Sequence, residues 1–247
     1  MHVFITGATS GIGQQLTLDY LKAGHHVIAC GRSPAKLEAL SQAASGAPLT
    51  CLTFDITDTA ATFRACHHLP HTPDLWILNA GDCEYLEDGY MDVTTFRRII
   101  EINVMGLAHC IEGCQHHFKA GQHVAIVGSI ASELALPRAE AYGASKACIG
   151  YYARSVSLAL ERRGIKVSTI YPGFVSTPLT HKNTFAMPMQ VSVATASHKI
   201  QRGLARGQRH IYFPWLFTTL IRLLGALPYT WQTYLVRKWL MPATVDS

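Results

Sequence analysis

Six short apolar runs punctuate the first part of the chain: His2 to Ile5, His26 to Ala29, Leu49 to Phe54, Leu75 to Leu78, His123 to Val127 and Lys166 to Ile170. Several are nearly continuous rather than alternating, the pattern of strands buried on both faces of a parallel sheet. Between them apolar residues recur at helical spacing. The positions Phe96, Ile99, Ile100, Val104, Leu107, Ile111 and Phe118 predict one helix from Phe96 to Phe118, capped by Thr94 or Thr95. A second stripe, Ile149, Ala153, Val156 and Leu160, predicts a helix from Tyr142 to Arg163 that stops at Gly164, a residue that readily turns left-handed. Strands alternating with helices in this way predict an α/β fold, a doubly wound, mostly parallel sheet with helices on both faces. Ligands of such sheets bind beyond the carboxyl ends of the strands, so residues just after strands are the ones that can meet a ligand.

The 247 residues are 49% apolar and 15% charged, which favours a packed core over disorder. One α/β domain of this size buries roughly 70–75% of the surface its unfolded chain exposes, and no Pro/Ser-rich linker, repeat or low-complexity tract divides the chain. The seven cysteines include no Cys-x-x-Cys pair and are odd in number, which argues against a disulfide scaffold or zinc ribbon and for a reducing, cytoplasmic setting. No secretion signal is read at the start of the chain. A formal charge of +5 would suit nucleic acid, but residues 1–198 carry 14 Lys/Arg against 15 Asp/Glu, and residues 199–247 carry 7 against 1. The positive excess lies in the tail, and no nucleic-acid partner is expected. Among 13 histidines, His67, His68 and His71 and the pair His116 and His117 are close in sequence. Adjacent histidines on a helix point in different directions, and no carboxylate or cysteine completes a zinc-enzyme ligand set, so no metal is expected. Cys110 and Cys114, four apart on a predicted helix, read as packing residues.

The first strand leads into Thr6-Gly7-Ala8-Thr9-Ser10-Gly11-Ile12-Gly13, after which Leu16, Tyr20 and Leu21 continue at helical spacing to Gly24. Glycines at a strand-to-helix turn let the backbone approach a ligand without a Cβ, and the free N–H groups at the helix start favour a pyrophosphate. Ser129 follows the fifth strand, Tyr142 lies thirteen residues later, and Lys146 four residues after that. A spacing of four puts Tyr142 and Lys146 on one helical face. A phenol with an ordinary pKa of about 10 is a poor base at neutral pH, and a neighbouring ammonium is expected to draw it down. Ser129 is placed to hold a substrate oxygen against the tyrosine hydroxyl.

In this order the motifs resemble those of the short-chain dehydrogenase/reductase family, over residues 2 to about 178, some seven-tenths of the chain. The resemblance implies a Rossmann-like fold, a nicotinamide cofactor, a homo-oligomer, and a catalytic tetrad of Asn103, Ser129, Tyr142 and Lys146. In it the lysine also binds the nicotinamide ribose, and the asparagine holds a water linked to that lysine. It assigns cofactor contacts to Gly7, Thr9, Ser10, Gly11, Ile12 and Gly13, to Asp55 and Ile56 beside the adenine, and to Asn79, Ala80 and Gly81 after the fourth strand. Further contacts fall on Pro172, Gly173, Val175 and Thr177, with Val175 and Thr177 at the carboxamide. The second strand ends Ala29-Cys30-Gly31-Arg32, with no carboxylate for a ribose 2′-hydroxyl and a guanidinium suited to a 2′-phosphate, to which Ser10 or Ser33 adds a hydroxyl. NADP(H) is therefore expected in preference to NAD(H). The expected reaction is hydride transfer between the cofactor and a carbonyl or secondary alcohol of a small molecule, with Tyr142 as general acid/base. A nucleotide-sensing binding protein with little turnover is the alternative; it predicts a broken tetrad, whereas all four positions are filled.

The resemblance stops near Pro178. Residues 179–208 correspond by position to the family's variable substrate loop and its helix, and Phe185, Met187 and Met189 make the loop apolar. Ile211 to Phe213 reads as a seventh strand closing a catalytic and cofactor-binding domain at residues 1–213, which leaves a tail of 214–247. There Leu216, Leu220, Leu223, Leu224 and Leu227 share a helical stripe that Phe217 and Ile221 widen and Pro228 ends. The run is too short to span a hydrocarbon core, which needs about 20 apolar residues. Tyr229 to Leu240 adds Trp231, Tyr234 and Trp239 beside Arg237 and Lys238, a mixture suited to a membrane interface. Packing on the domain, over its cleft or on a partner subunit is preferred, because apolar stripes are usually buried in protein. Peripheral membrane docking, with a lipophilic substrate, is the alternative.

Overall fold

The computed structural model describes residues 1–86, 90–183 and 185–240. In chain order the elements are β1 (His2–Thr6), α1 (Gly11–Lys22), β2 (His26–Gly31), α2 (Pro34–Ala43), β3 (Leu49–Thr53), α3 (Thr59–His67), β4 (Leu75–Leu78), α4 (Val93–Ile100) and α5 (Gly106–Cys114). They continue with β5 (His123–Val127), α6 (Glu140–Arg162), β6 (Lys166–Pro172), β7 (Val175–Ser176), β8 (Val191–Ser192), α7 (Val193–Ala205), β9 (His210–Phe213), α8 (Trp215–Gly225) and α9 (Tyr229–Leu240). Seven strands form one sheet in the order β3-β2-β1-β4-β5-β6-β9, with every neighbouring pair parallel. This is the doubly wound α/β sheet that the apolar runs predict.

Why the runs are continuous is explained by the two cores. Val3, Ile5, Val27, Ala29 and Ile77 point to one face of the sheet, where Leu16, Leu40 and Ile200 of α1, α2 and α7 cover them. Phe4, Ile28, Trp76 and Val124 point to the other, under Leu107, Ile149 and Leu160 of α5 and α6. Successive residues of a strand alternate between faces, and here both faces are dry. Strand ends differ from the predicted ones by two residues at most: β1, β2 and β6 run on to Thr6, Gly31 and Pro172, and β3 stops at Thr53. The small parallel pair β7 and β8, which joins Val175 to Val191, is a further feature of the region after Pro172.

The predicted helix from Phe96 to Phe118 departs more from expectation. It begins at Val93, and its cap is Asp92, whose carboxylate accepts from the N–H groups of Thr94 and Thr95, so the two threonines are first-turn residues rather than caps. Between α4 and α5 the chain makes a π-helical turn over Glu101–Met105, with Gly106 N–H donating to the Glu101 carbonyl, and a 3₁₀ turn at Gln115–His117 comes after α5. The inserted π-turn rotates the face of α5 relative to that of α4, and Phe96 lies exposed. Helix α6 begins two residues before the predicted segment and ends at Arg162, one residue short of the predicted end, and Gly164 takes a φ of +74° just beyond it.

Candidate active site

The strand order reverses between β1 and β4, and a cleft of about 500 Å³ opens at the carboxyl ends of the strands there. It is lined by Gly7, Thr9, Ser10, Gly11 and Ile12, by Arg32, Asp55 and Ile56, by Asn79, Ala80 and Gly81, by Ser129, Tyr142 and Lys146, and by Pro172, Gly173, Val175 and Thr177. Of the predicted site residues, Gly13 and Asn103 stand behind this lining.

Gly13 is structural in an immediate way. A Cβ there would sit 2.2 Å from the Gly7 carbonyl oxygen and 2.6 Å from Asn79 Nδ2, so no side chain fits. Gly7, with a φ of +66°, turns the chain left-handed just before it. Ser10 is the extended residue before α1, and its hydroxyl does not cap the helix, which leaves the first N–H groups of α1 without a cap from that side chain. Asn79 fastens the turn to β4: its Nδ2 donates to the carbonyls of Thr6 (3.1 Å) and Gly7 (3.3 Å). Thr6 Oγ1 returns the tie by accepting from the N–H groups of Asn79 (3.0 Å) and Ala80 (3.1 Å).

At the far end of the cleft Arg32 reaches Asp55 at 4.0 Å, with its side chain mostly in solvent. Asp55 is held by Thr57, whose N–H and hydroxyl both donate to Oδ1. Ser33 caps α2 by accepting from Lys36 N–H, and Lys36 itself lines the cleft and adds a second cation near Arg32.

The four predicted catalytic residues come together at the other end. Ser129 leaves β5 and hydrogen-bonds the Tyr142 phenol, while its Oγ accepts from Ala131 N–H at 3.1 Å. Lys146, buried one helical turn on from Tyr142, donates to the Val127 carbonyl at 3.4 Å and lies 5.7 Å from the centre of the tyrosine ring. Burial lowers the Lys146 ammonium from 10.5 to about 8. The expectation that the lysine draws the tyrosine down is not met. Burial holds the Tyr142 phenol above its ordinary value, the nearby Cys83 adds to that, and the Ser129 hydrogen bond opposes it. Asn103 sits on the π-turn, 1% exposed, with Oδ1 accepting from Asp82 N–H (2.7 Å) and Nδ2 donating to the Asp82 carbonyl and to Ser145 Oγ (both 2.9 Å). Its side-chain amide is therefore spent on protein groups, and Ser145 passes the connection on by donating to the Tyr142 carbonyl at 2.7 Å.

Thr6, Lys36, Ser145 and Thr180 take part without being marked in the sequence. Thr180 donates to the Val175 carbonyl at 2.6 Å and accepts from Thr177 N–H at 3.0 Å, which fixes the segment after β6. Their only signal is position, since each lies within a few places of a predicted site residue and finds its partner through the fold. A histidine trio also forms across the chain: His2, His26 and His71 bring one ligand atom each within 4.8 Å of one another. It gathers where β1 and β2 begin, opposite the cleft. Of the histidines that are close in sequence, His71 joins this trio, while His67 stacks on His116 with ring centres 4.1 Å apart.

A sequence profile described as short chain dehydrogenase matches residues 1–187. An uncharacterized oxidoreductase of Myxococcus xanthus is 32% identical over 231 residues, which cover 91% of each chain. Among solved structures, a short chain dehydrogenase of Burkholderia cenocepacia in complex with NADP superposes with a TM-score of 0.84 at 23% identity over 98% of each chain. A short-chain dehydrogenase/reductase of Burkholderia phymatum in complex with NAD gives 0.81 at 17% identity, over 100% of this chain and 96% of that one. With its profile match, its parallel sheet and this cleft, the chain belongs to the short-chain dehydrogenase family of oxidoreductases.

Proposed function

We propose that this protein reduces a carbonyl, or oxidises the corresponding secondary alcohol, with NADP(H) as the preferred cofactor and Tyr142 as the group that gives or takes the proton. The observation that carries this reading is the Tyr142 phenol hydrogen-bonded to Ser129 beside the buried Lys146, at the mouth of a nucleotide-sized cleft. The cofactor, when bound, supplies or accepts the hydride. The chain supplies the rest. Gly7 and Gly11 line the cleft with left-handed backbone and no Cβ where a pyrophosphate would approach the start of α1, and Gly13 behind them lets the turn close. Ser129 and Tyr142 offer two hydroxyls to one substrate oxygen, and the Tyr142 proton moves to that oxygen as hydride reaches its carbon. Lys146 holds its ammonium 5.7 Å from the ring centre and one helical turn from Tyr142, placed to meet the nicotinamide ribose when the cofactor is bound. Asn103 and Ser145 act through backbone, holding the Asp82 segment and the first turns of α6.

The cofactor preference rests on Arg32 and Lys36, two cations at one end of the cleft with no carboxylate at the end of β2. Asp55 holds Arg32 only loosely, at 4.0 Å, so the guanidinium is free to turn to a phosphate. Residues 1–213 are read as the catalytic and cofactor-binding domain and residues 214–247 as an appendage to it. Copies are read as associating through α4 to α6, where Phe96, Met105, Tyr151 and Leu158 are exposed, and an odd number of cysteines with no Cys-x-x-Cys pair supports a reducing, cytoplasmic setting.

Steady-state rates with NADPH and NADH over a panel of aldehydes and ketones test the reading. NADPH is expected to give the higher kcat/KM, and Arg32→Ala is expected to lower that ratio by about 10-fold or more. Tyr142→Phe is expected to lower kcat by about 10²–10⁴-fold with cofactor affinity unchanged. A Tyr142→Phe protein with the parent's kcat would refute the assignment.

A further inference from the structure

Helices α8 and α9 carry a row of apolar side chains that the domain does not cover. On α8 the predicted stripe splits: Leu216, Leu220 and Leu223 are 51%, 50% and 64% exposed beside Trp215 at 72%, whereas Phe217, Ile221 and Leu224 pack against the domain. On α9 Trp231, Tyr234 and Trp239 are exposed as well. The opposite side of α8 is firmly seated. Ile221 packs with Ile130 and Leu134, and Gly225 lies so close to Glu133 that a Cβ would come within 2.0 Å of its carbonyl oxygen. The exposed row is thus an outer face and not a core face turned the wrong way.

We propose that this outer face docks on the interface of an anionic lipid bilayer and that, given the oxidoreductase reading above, the substrate is lipophilic and enters from that side. On α8 and α9 the charged residues are Arg222, Arg237 and Lys238, with no Asp or Glu, which complements anionic headgroups and sets two copies of the same face against each other. Tryptophan and tyrosine beside arginine and lysine suit the headgroup region, where one end of the ring is dry and the other wet. At 11 and 12 residues the two helices are about 16–18 Å long, so they lie along the interface, and no described helix is long and apolar enough to cross.

The face is continuous with the cleft. Phe217, on α8, rests against Gly173, where a Cβ would come within 2.9 Å of the ring, and against Phe174 with ring centres 5.4 Å apart. Phe174 meets Phe185 at 6.0 Å, Phe185 meets Tyr85 at 5.0 Å, and Tyr85 meets Tyr142 at 6.2 Å. An unbroken aromatic wall runs from α8 to the reacting hydroxyl, and a chain or ring system lying along it exchanges water for apolar contact.

Cosedimentation of the full chain with vesicles decides the first claim. Phosphatidylcholine vesicles with about one-third phosphatidylserine are expected to carry down the protein at about 0.05 M salt, with binding at least ~10-fold weaker at about 0.5 M. Pure phosphatidylcholine is expected to bind far less. Leu220→Ser/Leu223→Ser and Arg237→Ala/Lys238→Ala, all at exposed positions, are each expected to weaken binding by about 10-fold with melting temperature unchanged. Failure to bind either vesicle overturns docking, and so does binding that ignores salt and the charge variants. A dimer in sedimentation equilibrium that the leucine variant dissociates also overturns it and assigns the face to a second copy. Rates on dodecanal and propanal test the substrate class: kcat/KM is expected to favour the long chain by about 10-fold or more, and equal values overturn it. A protein that binds vesicles yet reduces no carbonyl refutes the oxidoreductase reading, and the substrate class with it, while docking stands.

Discussion

Around the carboxyl ends of β1 and β4 the polar side chains are committed to backbone and to one another: Thr6 to the segment after β4, Asn79 to the glycine turn, Asn103 to Asp82 and Ser145. Helices α8 and α9 are built the other way round, with Thr218 and Gln232 turned inward and leucines and tryptophans in solvent. The two regions are fixed by different means. In the cleft, directional hydrogen bonds hold each residue from several sides, which is what a site of fixed geometry needs. An apolar helix has no such internal guide, because leucine is equally content on either side of it. What sets the rotation of α8 is close approach, at Gly173 to Phe217 and at Gly225 to Glu133, together with Arg222 stacked over Tyr212 at 4.3 Å.

Two glycine substitutions act on these two kinds of support separately. Gly13→Ala forces a Cβ into the Gly7 carbonyl, at the centre of the hydrogen-bonded turn, and is expected to destabilise the whole domain by about 1–3 kcal/mol or more and to abolish cofactor binding. Gly225→Ala places a Cβ just as close to Glu133, yet its damage is expected to stay local. It should free α8 and α9 to proteolysis while the domain keeps its melting temperature within a few degrees. Thermal melts and limited proteolysis of the two variants separate these outcomes. A Gly225→Ala protein that unfolds globally would make the tail part of the domain's core.

The same contrast explains what is legible in the sequence. Strands with two dry faces leave continuous apolar runs, so all six lie within two residues of their predicted ends, and His210–Phe213 joins them as the seventh. The glycine turn is visible because only glycine fits there, and Tyr142 and Lys146 because a spacing of four is itself geometric. The π-turn at Glu101–Met105 leaves no trace, since an extra residue in a helix shifts the apolar stripe without erasing it. Ser145 and Thr6 also have partners 42 and 73 residues away, so beyond their nearness to Tyr142 and Gly7 nothing local marks them. On α8 the leucine stripe is plain in the periodicity, but its side is set by contacts with Gly173 and Glu133 that periodicity does not encode.

Lys146 offers a sharper test of how the cleft holds an unfavourable group. Its ammonium is buried and its pKa is lowered to about 8 from 10.5, so below about 8 the folded protein carries a charge that burial penalises. Between about 8 and 10.5 the unfolded chain retains a proton that the folded chain has shed, and this group makes stability rise with pH across that window. Lys146→Met removes the charge. It is expected to lose activity and to melt higher than the parent at about pH 7, by a few degrees. The difference should shrink as pH rises from about 8 towards 10.5. Paired melts across this range check it, and a variant that melts lower at neutral pH would mean that the Val127 hydrogen bond and packing outweigh the burial cost.

The smallest effect is expected where the tail comes closest to the logic of the cleft. Gln232 on α9 is buried, and its Nε2 donates to the carbonyls of Gly225 (2.9 Å) and Leu227 (2.8 Å), two acceptors left open at the end of α8. It pins together two helices otherwise joined mainly by a short turn. Gln232→Ala leaves those carbonyls without their side-chain donor at a cost of about 1–3 kcal/mol, but only to the local opening of α9. Hydrogen exchange is therefore expected to quicken by about 10-fold over residues 226–240, with no change at β1, β4 or α6 and no change in melting temperature. Faster exchange that spreads to the Ser129 and Tyr142 segments would instead show that the tail braces the cleft, and the two regions would have to be treated as a single cooperative unit.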